Sequence, residues 1–138
     1  MNAYVDSSII LRLLFSEPGR LPEWADISYG LTSRLTEVEC RRTIHRLRLQ
    51  GRLTDAQAVA GHQAVYQILR SFAVADVTPS VLARACDPMP SVVGTLDAIH
   101  LTTALIWREH SNEELVLATH DRALAGAARA YGFDVIGA

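Results

Sequence analysis

The chain has 138 residues, a mass of 15.1 kDa and a net charge of -2, with 49% hydrophobic and 20% charged residues. This length predicts one domain, residues 1–138, around one hydrophobic core. No apolar stretch reaches the roughly 18 residues of a membrane span, and the N-terminus lacks the basic region of a signal peptide, so we expect a cytoplasmic protein with no membrane association. All 13 basic residues are arginine. The lack of lysine excludes P-loop and Schiff-base enzymes.

Short apolar strands alternate with helices along the chain, which predicts βαβ units and a parallel sheet. The first predicted elements are a strand at 3–5, a helix capped by Asp6, turn residues over 16–24 and a strand at 29–33. The C-terminal half is predicted to contain, in order, a strand at 72–77, a short helix at 79–86, a helix capped by Thr95, a strand at 114–119, a helix capped by Asp121 and a strand at 133–137.

Two long helices, at 36–50 and 54–71, interrupt this alternation. Each begins with a threonine that has a capping-box partner three residues later, Glu39 in the first helix and Gln57 in the second. A short turn with Gly51 joins them, which predicts a helical hairpin beside the sheet. We therefore expect a three-layer α/β/α fold with a central, mostly parallel sheet of four to five strands.

Four acidic residues follow strands or begin helices at one predicted edge of the sheet. In a parallel sheet with right-handed crossovers, the carboxyl ends of the strands and the N-termini of the returning helices share the edge at which ligands bind. Taken singly, each acid also has a structural explanation: Asp6 and Asp121 cap helices, Glu39 completes a capping box, and Asp97 complements a helix dipole.

Placed in one cleft, the same four anions would repel one another. Because the chain has no lysine, the expected neutralising group is a hard divalent cation. Oxygen ligands favour Mg²⁺ or Mn²⁺ over zinc, and such an ion supports hydrolysis of a phosphodiester.

Four motifs occur in the order "YVDSSIILRLL", "TSRLTEVECRR", "TLDAIHLTTAL" and "LATHDRALAGAARAYGFDVI". Together they resemble the PIN-domain ribonucleases, most closely the VapC toxins of bacterial toxin–antitoxin modules, over nearly the whole chain. The resemblance implies an Mg²⁺- or Mn²⁺-dependent endoribonuclease that leaves a 5′-phosphate and a 3′-hydroxyl. Its implied partners are an RNA substrate, a cognate antitoxin and a second copy of the chain. Its implied catalytic and metal-binding acids are Asp6, Glu39, Asp97 and Asp121.

The helix glutamate has two candidates, Glu37 and Glu39. They lie about 200 degrees apart around a helix, so only one of them can face the site. In the family the glutamate is commonly followed at the third position by arginine. Arg42 has this position relative to Glu39, which favours Glu39.

Three polar side chains are candidates for supporting the acids. Ser8 and Thr119 match family hydroxyls that hold the carboxylates or a metal-bound water, while helix capping or turn bonding is the alternative role. His100 lies one turn from Asp97. It either orients the Asp97 carboxylate or is a buried structural histidine.

Arginines concentrate in and around the predicted helix at 36–50. Arg42 and Arg46 share a helix face, and they either position the phosphate backbone of RNA or form a solvated surface.

Two other functions are compatible with part of the pattern. A non-catalytic PIN-like binding module would keep the acids only as helix caps. A different phosphate-ester hydrolase on a similar sheet, such as a haloacid-dehalogenase-type phosphatase, requires an aspartate where Ser8 stands and usually a lysine.

Overall fold

The computed structural model describes residues 1–15 and 20–138. The strands are β1 (Asn2–Val5), β2 (Tyr29–Ser33), β3 (Ala73–Ala75), β4 (Val116–Ala118) and β5 (Val135–Ile136). The α-helices are α1 (Ser7–Leu14), α2 (Arg34–Leu49), α3 (Asp55–Ser71), α4 (Pro79–Ala85), α5 (Thr95–Ser111) and α6 (Arg122–Ala130). Within the predicted turn over 16–24, residues 16–19 lie outside the described part of the chain, and a 3₁₀ helix begins at Pro22.

The five strands form one parallel sheet in the order β3–β2–β1–β4–β5. Ala3 and Val5 of β1 belong to a core that includes residues of α1, α2 and α3, whereas Tyr4 belongs to a second core that includes residues of α5 and α6. This division follows from the alternation of side chains along a strand. The predicted three-layer α/β/α fold, with its parallel sheet and its α2–α3 hairpin, is confirmed.

The strand order reverses at β1. Successive strands β2 and β3 extend the sheet to one side of β1, and β4 and β5 extend it to the other. The carboxyl ends of β1 and β4 are therefore the point at which an open α/β sheet opens a ligand crevice. The backbone N–H of Asp6 donates to the carbonyl of Ala118 at 3.2 Å, which ties the two strand ends together.

Helix α2 begins earlier than its sequence pattern predicts. Its N-cap is Ser33, whose hydroxyl accepts from the backbone N–H of Leu35 at 3.1 Å. Thr36 is buried inside the helix, where its hydroxyl lies 2.8 Å from that of Thr32. The predicted capping box of Thr36 and Glu39 is therefore wrong, because the last residue of β2 already caps the helix. Glu39 lies in the second turn instead.

The other helix starts agree more closely with the sequence. Asp6 and Asp121 cap α1 and α6, and Thr54 forms a full capping box at the start of α3. At α5 the N-cap is Gly94, and Thr95 is the first helical residue. Within the described residues, no helix is long and apolar enough to span a membrane.

Candidate functional site

The four predicted acids all lie near the carboxyl ends of β1 and β4. Asp6 follows β1 directly, Asp121 lies three residues after β4, and Glu39 and Asp97 lie near the starts of α2 and α5. Their charges affect one another. Partial burial raises the pKa of Asp97 to about 6, and the charge of Asp121 adds the next largest effect, with smaller contributions from Asp6 and Glu39. The structure thus brings together the four acids that the sequence singled out.

Asp6 is held by four hydrogen bonds although only 4% of it is exposed. Its Oδ1 accepts from the Ser8 backbone N–H at 3.1 Å, from the Ser8 hydroxyl at 2.5 Å and from the Ile9 N–H at 3.4 Å. Its Oδ2 accepts from the Thr119 hydroxyl at 2.7 Å. Burial raises the pKa of Asp6, and these donors oppose the rise. The carboxylate is therefore fixed in one orientation.

The two hydroxyls that hold Asp6 also bind the segment after β4. The Ser8 hydroxyl accepts from the backbone N–H of His120 at 2.9 Å, and the Thr119 hydroxyl accepts from the N–H of Asp121 at 2.9 Å. Each hydroxyl is at once a donor and an acceptor, which satisfies its hydrogen-bonding capacity in a buried place. Ser8 and Thr119 therefore connect the N-cap of α1 to the N-cap of α6.

His100 contacts a different acid from the one that the spacing suggests. Its Nε2 lies 2.5 Å from Oε1 of Glu39, and its Nδ1 lies 2.6 Å from the Tyr4 hydroxyl. The sequence associated His100 with Asp97 because both lie on one face of α5. Tyr4 was missed altogether. The available signal was a tyrosine in a buried strand, because a buried phenol hydroxyl needs a polar partner.

Glu37 and Glu39 point to different surroundings. Glu37 forms an ion pair with Arg41 one turn along α2, at 3.0 Å. Glu39 instead contacts His100 at the sheet edge. Of the two candidates, Glu39 is the one that lies beside the other acids, and its charge contributes to the raised pKa of Asp97.

Arg42 and Arg46 are exposed on α2. Among the described residues neither forms an ion pair, so both guanidinium groups face solvent. Three other arginines of this stretch are paired with carboxylates: Arg34 with Asp76, Arg41 with Glu37 and Arg48 with Asp55.

The four acids are suitable ligands for a hard cation, although they do not form a preorganised coordination site among the described residues. Across residues 1–15 and 20–138, no three His, Cys, Asp or Glu side chains are grouped closely enough to form a metal site by themselves. Mg²⁺ does not require such a group, because it usually binds through one or two carboxylates and keeps several waters. The repulsion between Asp97 and Asp121 is the kind of strain that a divalent cation relieves. The donor set therefore fits Mg²⁺ or Mn²⁺.

Comparison with known proteins gives one family. Residues 3–136 match the family model described as the PIN domain. No curated protein matches the chain.

Several solved structures are similar in fold. A toxin–antitoxin complex from Klebsiella pneumoniae has a TM-score of 0.64 at 18% identity, covering 91% of this chain and 92% of that one. The structure of FitAB bound to a DNA fragment has a TM-score of 0.69 at 21% identity, with coverages of 96% and 92%. VapBC2 from Rickettsia felis, bound to a DNA fragment from its promoter, has a TM-score of 0.66 at 10% identity, with coverages of 98% and 97%. At these identities the likeness shows the fold alone.

Proposed function

The chain belongs to the PIN domain family, and from this premise we propose that it is a metal-dependent endoribonuclease, the toxin of a type II toxin–antitoxin pair. The observation that carries the proposal is the placement of four carboxylates at one sheet edge, where burial, and next the charge of Asp121, raise the pKa of Asp97 to about 6. An acid with so high a pKa and like-charged neighbours is typical of a functional site. The same proposal includes a cytoplasmic location, where the RNA substrate would be available.

Asp6, Glu39, Asp97 and Asp121 would hold Mg²⁺ or Mn²⁺. Such an ion, when bound, lowers the pKa of a water molecule and neutralises charge on the scissile phosphate. Asp6 needs no rearrangement for this role, because the Ser8 and Thr119 hydroxyls already fix its orientation.

Two exposed arginines are proposed to bind the substrate. Arg42 and Arg46 are exposed on the same helix as Glu39 and have no carboxylate partner among the described residues. They are therefore available to contact the phosphate backbone of RNA, which positions a nucleic acid without reading its sequence.

The antitoxin is proposed to bind in a groove between α1, α2 and α3. The groove has a volume of about 690 Å³, and it begins at Ser8, beside the buried Asp6. Apolar side chains line it together with Arg12 and Arg52, so it fits an apolar segment that carries acidic residues. A segment that lies there and extends past Ser8 would cover the acids, since the Ser8 hydroxyl contacts Asp6. The Klebsiella pneumoniae neighbour is a toxin–antitoxin complex, which supports a partner of this kind.

A second copy of the chain is proposed to bind at the start of α5. Leu82 on α4 and Leu96 on α5 are nearly half exposed, and Val92 in the segment that joins these helices is 93% exposed. A cluster of exposed apolar side chains is typical of a protein interface. Val92→Asp is expected to reduce the mass measured by light scattering from that of a dimer to that of a monomer.

The decisive experiment measures metal-dependent cleavage of RNA. Purified protein is incubated with total RNA in Mn²⁺, in Mg²⁺ and in EDTA, and the new 5′ ends are mapped. We expect cleavage with either metal and none in EDTA. Asp97→Asn removes one ligand charge without changing side-chain volume, so the folded variant should cleave at least about 100-fold more slowly, a larger loss than that of an outer partner.

The matched control is Asp134→Asn, since Asp134 lies near the C-terminus and outside the group of four acids. Full cleavage by folded Asp97→Asn protein would contradict the assignment of the site. The wild-type protein would instead be a binding module that keeps the acids as helix caps if it cleaves RNA in neither Mn²⁺ nor Mg²⁺ and takes up no Mn²⁺. Growth arrest on expression, relieved by the neighbouring gene, tests the toxin role separately.

A further inference from the structure

We propose that Tyr4 and His100 act together as positioning residues, which hold the Glu39 carboxylate in the orientation that it needs to bind a cation. The inference rests on the proposed function, because it concerns one of the four acids of the same site. It assigns to His100 a role toward Glu39 rather than toward Asp97, and it adds Tyr4, a residue of the sheet core.

The three side chains form one continuous path from the core to the sheet edge. Tyr4 comes from β1, His100 from α5 and Glu39 from α2. Tyr4 is 0% exposed and His100 is 1% exposed, while the Glu39 side chain is 22% exposed. The two rings meet edge to face, with centroids 5.8 Å apart and planes at 69°. The path therefore begins in a dry interior and ends where solvent and substrate have access.

The two contacts of His100 are satisfied by an arrangement in which the phenol donates to the imidazole and the imidazole donates to the carboxylate. The phenol of Tyr4 has one proton and can donate it to Nδ1 of His100, 2.6 Å away. A neutral imidazole that accepts at Nδ1 carries its proton at Nε2. This N–H then donates to Oε1 of Glu39. Each polar hydrogen on the path has one acceptor.

In this arrangement only one of the two oxygens of the Glu39 carboxylate is hydrogen-bonded to the described residues. Oε1 of Glu39 is held by His100, while Oε2 accepts no hydrogen bond from the described residues. The glutamate side chain has three rotatable bonds, so ordering it when a metal binds costs conformational entropy. A donor that already holds the carboxylate in place reduces this cost. Residues that hydrogen-bond metal-binding carboxylates and imidazoles commonly have this function, and losing one typically weakens metal binding 10- to 100-fold.

The path from Tyr4 through His100 to Glu39 places polar groups in the core, which costs free energy that a purely structural role would not require. Two polar side chains occupy core positions that apolar residues of similar size could fill, and a buried polar group is tolerated only when it is fully hydrogen-bonded. The outer partner of His100 is neither a backbone carbonyl nor another core residue. It is one of the four acids at the sheet edge.

The test measures Mn²⁺ binding by electron paramagnetic resonance of the free ion, using the full chain without RNA. Tyr4→Phe deletes only the hydroxyl and keeps the ring, so the fold is preserved. His100→Ala removes the donor itself. Both variants are expected to bind Mn²⁺ about 10- to 100-fold more weakly than wild-type protein. In a Glu39→Ala background, Tyr4→Phe should cause no further loss, because its effect passes through Glu39.

Two controls separate positioning from stability. Thr102→Val changes a buried hydroxyl on α5 that has no partner among the described residues, and it should leave Mn²⁺ affinity unchanged. Ile44→Val removes one buried methyl group from α2 and should lower the urea midpoint of unfolding without weakening Mn²⁺ binding.

The outcomes distinguish this inference from the proposed function. Wild-type affinity in Tyr4→Phe, an equal loss in Ile44→Val, or a further loss on adding Tyr4→Phe to Glu39→Ala would each overturn the inference and leave the proposed function intact. No uptake of Mn²⁺ by wild-type protein would overturn both.

Discussion

Asp6 and Asp97 lie at the same edge of the sheet, but the protein holds their carboxylates in opposite ways. Asp6 is almost fully buried, and both of its oxygens accept hydrogen bonds. Asp97 is partly exposed, and no hydrogen-bond donor of the described residues reaches its carboxylate. Burial raises the pKa of both, but at Asp97 repulsion from Asp121 adds to burial, whereas at Asp6 the donors oppose it. Hydrogen bonds within the fold therefore offset part of the cost of burying Asp6, whereas at Asp97 a proton or a cation would relieve the effect of burial and of the neighbouring charges.

The largest effect on stability is expected from removing a hydrogen bond to Asp6. Thr119→Val removes the donor to the buried Oδ2 of Asp6 and the acceptor for the partly buried N–H of Asp121. Unsatisfied buried polar groups cost about 1–3 kcal/mol each, so we expect the free energy of unfolding to fall by about 2 kcal/mol or more. Urea denaturation measures the change.

Thr102→Val provides the matched control for this variant. The Thr102 hydroxyl is equally buried and has no hydrogen-bond partner among the described residues, so its loss should leave stability unchanged or slightly improved. Equal destabilisation by the two substitutions would contradict the view that the Thr119 hydroxyl compensates Asp6.

A smaller effect, of opposite sign, is expected on the Asp97 side. In metal-free protein the pKa of Asp97 is about 6, above the value of 3.8 expected for an unperturbed aspartate. The folded state therefore favours protonated Asp97. The stability that this group contributes is fully present at a pH below its pKa in the unfolded chain, and it is lost as the pH rises through about 6. Asp97→Asn removes the charge, so in EDTA it should be more stable than wild-type protein by about 1 kcal/mol near neutral pH, allowing for solvent screening.

The measurement is the urea midpoint of both proteins in EDTA at about pH 5 and about pH 7.5, where the advantage of the variant should grow with pH. Mn²⁺ should reverse the order, since it stabilises only a site that keeps its ligand charge. A pH-independent difference would show that Asp97 carries no uncompensated charge in the folded protein.

The smallest effect is expected away from both carboxylates, at the exposed face of α2. Replacing Arg42 and Arg46 together by alanine should weaken RNA binding a few-fold and lower the slope of log Kd against log salt by about 1.4, because each lost phosphate contact to a single strand contributes about 0.7. Binding is measured by fluorescence anisotropy in an Asp97→Asn background that does not cleave. Arg48→Ala is the control, because that guanidinium is paired with Asp55. Equal loss in the control would indicate a general effect of charge.

Much of the fold was predictable because its signals are local. The alternation of apolar strands and helices predicted the layers, and Asp6, Thr54 and Asp121 are caps that act within three residues of themselves. The prediction that Thr36 caps α2 was wrong because Ser33 and Thr36 are both able to cap this helix. Ser33 is the last residue of β2, and this position makes it the N-cap. Periodicity does not contain that choice.

The positions of the four candidate acids at one sheet edge were predictable, but their hydrogen-bond partners were not. Topology requires residues at strand ends and helix starts to share an edge, so the four acids could be named without coordinates. The partner of His100 could not be predicted, because the three-residue spacing of Asp97 and His100 describes only their own helix. Glu39 reaches His100 from α2, across 61 positions of sequence.

Local periodicity, capping chemistry and short motifs were thus enough to predict most of the elements, the layers, the family resemblance and the positions of the four acids. The tertiary structure alone decided the strand order, the hydroxyl bridge from Asp6 to the α6 cap, and the path from Tyr4 through His100 to Glu39. These features depend on which distant side chains share one small volume, and that is settled only when the helices pack on the sheet.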